Sequence, residues 1–169
     1  GSEQANTLKN GLRTSGNISE EGDVDWYVVE SSRGDATFFI STEGCDKDSF
    51  GENDTRLDPK RDCEPLQIEL LDKDKNVLSF RESDPGNANQ LVTLSTGLQE
   101  GSSYLKISST HTFSELGGKT YHNRTYEVTG FFPPKPVAVS ASTDDGGSIF
   151  PNGRQEIPYN GSITFTATP

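Results

Sequence analysis

Apolar and polar positions alternate in short blocks along this chain. Leu66, Ile68 and Leu70 interleave with Gln67 and Glu69, the period-two pattern of a strand with one buried face. Asp72-Lys73-Asp74-Lys75-Asn76 then supplies turn formers and leads into Val77-Leu78-Ser79-Phe80, so residues 66–80 predict a hairpin. Trp26-Tyr27-Val28-Val29 and Thr37-Phe38-Phe39-Ile40 are compact aromatic and β-branched runs, separated by the polar Glu30-Ser31-Ser32-Arg33-Gly34-Asp35. Leu91-Val92-Thr93-Leu94, Tyr104-Leu105-Lys106-Ile107 and Tyr126-Glu127-Val128-Thr129 continue the series. No segment sustains a 3.6-residue repeat. The pattern predicts an all-β chain folded as an antiparallel β-sandwich, jelly-roll-like.

The pattern is interrupted at Phe131-Phe132-Pro133-Pro134-Lys135-Pro136. Three prolines in four residues cannot pair as a central strand and form a stiff, extended connection. The sandwich is therefore expected over residues 1–132, a linker over 133–136, and a short β-rich C-terminal fragment over 137–169. That fragment opens on Val137-Ala138-Val139-Ser140-Ala141 and ends near Ile163-Thr164-Phe165-Thr166-Ala167. It falls below the roughly 40 residues that a core without staples needs, and reads as the opening of a second module.

Composition narrows the function classes. Of 169 residues 30% are hydrophobic and 24% charged, with a formal net charge of −11. No stretch approaches the roughly 18–20 apolar residues of a membrane-spanning helix, so membrane insertion is not expected. The acidity disfavours nucleic acid and anionic lipid as partners. Residues 1–84 carry −10 of the charge and residues 85–169 carry −1. The excess reads either as a solubilising surface or as oxygen ligands for Ca²⁺. Gly1-Ser2 in place of an initiator methionine reads as a cloning remnant on an excised piece. Cys45 and Cys63 bracket a polar excursion without a CxxC or a His pair, so a disulfide is expected rather than a zinc site. Such a bridge implies an oxidising compartment; two free cytosolic thiols are the other reading.

Catalytic chemistry finds little support. His111 and His122, the two histidines, fall in a polar connection, and no His-Glu-x-x-His, Gly-x-Ser-x-Gly or cysteine dyad is present. The chain is not expected to be an enzyme. Arg33-Gly34-Asp35 matches an integrin-read tripeptide, but the turn there needs its glycine. Asp46-Lys47-Asp48-Ser49-Phe50-Gly51 starts like a calcium-binding loop, yet Phe50 and Leu57 replace required oxygens.

Residues 5–132 resemble the bacterial pre-peptidase C-terminal domain, a β-sandwich appended to secreted peptidases and other exported proteins. The resemblance rests on Ala5-Asn6-Thr7-Leu8, Ser15-Gly16-Asn17-Ile18 and, most specifically, Gly22-Asp23-Val24-Asp25-Trp26-Tyr27. The later strands from Gly34 to Ile40, Leu66 to Asp72, Tyr104 to Ile107 and Tyr126 to Val128 follow in order, with residues 45–63 as an insertion. The tail is similar to short bacterial surface-protein repeats, through Gly147-Ser148-Ile149-Phe150-Pro151-Asn152-Gly153 and Thr164-Phe165-Thr166-Ala167-Thr168-Pro169. Some members of the sandwich family bind Ca²⁺ and dock on fibrous substrates. The resemblance thus implies a metal site at Asp23 and Asp25 with Glu3 and Asn6 upstream. The residue pattern itself suggests instead that Asp23 and Asp25 set a turn aiming Trp26 into the core.

The expected role is a non-catalytic accessory domain of a secreted or cell-surface bacterial protein. It would attach or position a neighbouring domain of the same chain on an extracellular polymer or a host or cell surface. A structural adhesin stalk, Ca²⁺-stabilised or not, and a small carbohydrate-binding module are the alternatives. An outward aromatic stripe would favour the last; the aromatic residues to place are Tyr104, Tyr121, Tyr126, Phe113 and Phe131.

Overall fold

Alternating side chains close the larger of two units around one core. The computed structural model describes residues 5–18, 22–42, 65–83, 90–109, 124–158 and 161–169. It divides into two compact units, Gly1–Pro133 and Pro134–Pro169. In chain order the first unit contains β1 (Asn6–Thr7), β2 (Arg13–Ile18), β3 (Val24–Ser31), β4 (Gly34–Thr42), β5 (Leu66–Leu71), β6 (Val77–Glu82), β7 (Gln90–Leu98), β8 (Gly101–Ser109) and β9 (Arg124–Phe131). A front sheet has the order β1-β3-β8-β5-β6 and a back sheet the order β2-β9-β4-β7. Every pairing is antiparallel except the two-residue parallel ladder of β1 on β3, which covers the β3 edge. No described residue is helical.

The inner faces follow from burial. Tyr27, Val29, Ile68, Leu70, Leu105 and Ile107 point inward from the front sheet, against Phe38, Ile40, Leu94, Tyr126 and Val128 from the back. Each such side chain contributes about 1.5–3 kcal/mol when fully buried. Phe132 extends the core past the end of β9 by stacking on Phe38 at 6.1 Å between ring centroids. The second unit is made of two ladders, β10 (Val137–Ala141) with β12 (Gly153–Ile157), and β11 (Ser148–Phe150) with β13 (Thr166–Thr168).

Two local features bear on function. At the β5–β6 hairpin, Asp72 Oδ1 accepts the amides of Asp74 and Asn76 at 2.8 and 2.9 Å, and Oδ2 accepts the Asn76 side chain at 3.0 Å. These bonds hold Lys75 at φ +67°, the one positive-φ residue other than glycine among the described residues. A lysine there costs on the order of 1 kcal/mol relative to glycine or asparagine. At the β3–β4 turn, Gly34 has φ +154° and a Cβ on it would lie 2.7 Å from Pro133 Cγ. That packing accounts for the glycine of Arg33-Gly34-Asp35 without any partner.

Trp26 departs from expectation. Burial along β3 assigns Tyr27, Val29 and Ser31 to the core, which places Trp26, Val28 and Glu30 on the outer face, half-buried. The four apolar residues in a row gave no parity, and the tertiary partners of Tyr27 decide it.

Candidate functional site

Two clusters of chemistry-bearing side chains flank β3, one inside and one outside. The inner cluster ties the sheets together. Asp25 turns inward from β3 and accepts the Tyr126 hydroxyl from β9 at 2.5 Å; it also accepts the backbone amide of Asn17 on β2. The Tyr126 and Tyr27 hydroxyls are 2.8 Å apart. Gly16, the register partner of Tyr126, leaves the space into which both hydroxyls fit. Burial pushes the Tyr126 hydroxyl far above the ordinary phenol range, and its bond to Asp25 pushes it further. Burial also raises the Asp25 carboxyl, against the lowering effect of the Tyr126 bond, and repulsion from Asp23 adds to the rise.

A carboxyl raised by folding binds its proton more tightly in the native than in the unfolded chain. Its penalty is therefore absent below the unfolded value of 3.8 and complete above the native one. Asp25→Asn is expected to gain stability relative to wild type as pH rises from about 4 to 7. Urea melts of both proteins in a chelator, at the two pH values, measure that difference; an unchanged gap would contradict the assignment.

The metal ligands implied by the resemblance are only partly brought together. Asn6 lies on β1 opposite Tyr27 and is exposed. Asp23 and Asp25 are close enough to repel, but Asp25 is engaged in cross-sheet bonding. Glu3 lies outside the described residues, as do Cys45, Cys63, His111, His122, Phe113 and Tyr121. Calcium takes six to eight oxygens, and among the described residues no group of three metal-binding side chains gathers. The described part of the proposed set is a carboxylate pair and not a cage.

The outer cluster lies on the front sheet. Register sets Trp26, Lys106, Glu69 and Phe80 in one row across β3, β8, β5 and β6, and Val28, Tyr104, Leu71 and Val77 in the next. Trp26 and Tyr104 meet edge to face, 6.4 Å apart at 83°. Phe80 and Val77 are 44% and 54% exposed, extending the apolar strip to the sheet edge. Lys106 pairs with Glu69 at 2.5 Å, and the Ser102 hydroxyl donates to Glu30 at 2.5 Å. Lys75 reaches from the hairpin over the rings, 3.0 Å from the Tyr104 centroid and 4.4 Å from that of Trp26. Such contacts are worth about 0.5–2 kcal/mol, depending on desolvation. Of the remaining aromatic candidates, Tyr126 is fully buried and Phe131 is exposed against Phe39 on the back sheet.

No family model matches the sequence. No curated protein matches it either. Among solved structures, the chain is similar to the pre-peptidase C-terminal domain of a collagenase from Bacillus anthracis, with TM-score 0.50 and 14% identity. That likeness covers 76% of this chain and 95% of the other. It is also similar to a family 35 carbohydrate-binding module from Clostridium thermocellum, at TM-score 0.40 and 10% identity, over 71% of this chain and 92% of that one. At 14% identity the first likeness is one of fold, and it supports the β-sandwich expected from the residues. The outer aromatic pair escaped sequence reasoning because Trp26 was read as core.

Proposed function

We propose that the chain is a non-catalytic accessory domain of an exported bacterial protein, and that it holds a neighbouring module on an extracellular polymer through the outer face of the front sheet. The observation that carries this reading is the outward Trp26–Tyr104 pair. In a chain only 30% hydrophobic, the single tryptophan is spent on a sheet face that the core does not use. Tryptophan and tyrosine are the side chains most often found at the energetic centre of binding surfaces. The same pair favours a saccharide polymer over the stalk reading, because a stalk needs no outward rings. Likeness of fold to an accessory domain of a collagenase supports the accessory role.

Co-sedimentation with collagen fibres, cellulose, chitin and cross-linked pectate tests the proposal. Wild type is expected in the pellet with at least one polymer, and Trp26→Ala in the supernatant. Retention by none of them, or equal retention of the variant, would overturn it.

A further inference from the structure

Lys75 is the unusual element of the outer face. Its neighbours on the same surface are neutralised: Lys106 by Glu69, and Lys73 by Asp74 at 2.6 Å. Lys75 makes no ion pair with a carboxylate among the described residues, although the chain carries a net charge of −11. The ammonium instead lies on two aromatic rings, delivered there by a left-handed backbone that glycine or asparagine would adopt more cheaply. Closure of the hairpin rests on Asp72 and Asn76, so the turn itself has no need of a lysine. Strain of this kind, beside a half-buried aromatic pair on the outer face, marks a position to be examined for binding.

The rings under Lys75 are the ones a sugar would stack on. A neutral saccharide would have to displace the ammonium and leave it without its π partners. A saccharide carrying its own anion replaces them with an ion pair as its ring takes the aromatic surface. That local gain has to outweigh the repulsion from the chain's net charge of −11. From Trp26 to Phe80 the row crosses four strands, roughly 14 Å at the usual strand spacing. That span suits an extended chain better than one sugar unit. The Ser102–Glu30 pair and the Lys106–Glu69 pair border the rings with hydrogen-bonding groups.

Resting on the proposal that this face is the binding surface, we infer that it takes an anionic polysaccharide, and that Lys75 selects it by lifting from the Trp26 and Tyr104 rings to pair with a carboxylate or sulfate of the bound chain.

Affinity electrophoresis in gels containing polygalacturonate, chondroitin sulfate, hydroxyethylcellulose or polyglutamate tests this. Wild type is expected to be retarded by at least one of the two anionic polysaccharides, at least tenfold more tightly than by hydroxyethylcellulose, and the better of the two identifies carboxylate or sulfate. Retardation should fall as NaCl rises, since the contact is an exposed ion pair. Lys75→Asn, which tolerates the left-handed backbone, should melt no lower than wild type yet lose at least tenfold in affinity, with Lys75→Arg restoring most of it. No retardation by either anionic polysaccharide would overturn the inference. So would unchanged retardation of Lys75→Asn, or equal binding to polyglutamate, which would make the partner an acidic polypeptide. Trp26-dependent retardation by hydroxyethylcellulose alone would remove the charge selection while leaving the face as a binding surface.

Discussion

Gly16→Ala is expected to destabilise the sandwich by about 3 kcal/mol. A methyl group at that position would overlap the Tyr126 hydroxyl and come within 2.7 Å of the Tyr27 hydroxyl. Both groups are fixed by other bonds, Tyr126 to Asp25 and Tyr27 to Tyr126, and both rings belong to the fully buried core. Forcing extra volume into such a site costs about 1–3 kcal/mol, and a buried hydroxyl pushed off its partner costs about 1–3 more. Tyr126→Phe removes the hydroxyl but leaves ring carbon Cζ overlapping the added methyl, so the two changes couple through the hydroxyl bonds that both disrupt. The two changes combined should therefore be less damaging than their sum, by about 1 kcal/mol or more. Urea denaturation of the four proteins measures this as a shift in midpoint with the slope unchanged. Additive effects, or a Gly16→Ala cost below about 1 kcal/mol, would mean that the hydroxyl chain does not tie the sheets.

That junction also shows which parts of the fold were legible. The alternation of Leu66, Ile68 and Leu70, and of Leu105 and Ile107, revealed both the strands and the inward side, because polar residues stand between them. β2 was not legible as a strand from its pattern. Arg13-Thr14-Ser15-Gly16-Asn17-Ile18 has one buried apolar residue, and its inner face contributes space where other strands contribute bulk. Only the resemblance drew attention to it. β1 is two residues long and is held by a parallel ladder, for which a period-two pattern has no room.

The candidate site was half legible. The hairpin over residues 72–76 could be read from its turn formers, but not the left-handed Lys75 that sends an ammonium over the rings. Trp26-Tyr27-Val28-Val29 is apolar throughout, so a shift of one residue exchanges its faces without changing the pattern. What settles the parity is non-local: the Tyr27 hydroxyl finds Tyr126 across 99 residues of sequence, and its neighbours then face outward. Asp25 is a metal ligand only as the resemblance implies, and its bond to Tyr126 across the sheets is one that no local pattern shows.

Trp26→Ala combined with Tyr104→Ala is expected to weaken polymer binding by about thirtyfold or more, at a stability cost of about 1–2 kcal/mol that leaves the sandwich folded. Truncating an aromatic at the centre of a binding surface costs about 2 kcal/mol or more, and 1.4 kcal/mol corresponds to tenfold in affinity. Both residues are half-buried on the outside of the sheet, and the core beneath them is formed by Tyr27 and Leu105. Their loss therefore removes the ring pair and its Lys75 contacts but leaves the core packing in place. The rings of Phe39 and Phe131 on the back sheet supply the control, since truncating Phe131 should leave binding intact. A variant pair that binds like wild type, or a Phe131 variant that does not bind, would place the contact on the other sheet.

Because Trp26 is the only tryptophan, the emission of the intact protein reports on this face alone. The central claim is tested most directly by titrating the protein with a polymer it retains, in parallel with sedimentation. The account predicts that tryptophan emission changes in step with the bound fraction, and that both saturate at the same polymer concentration. Full binding with the emission of Trp26 unaltered would contradict it.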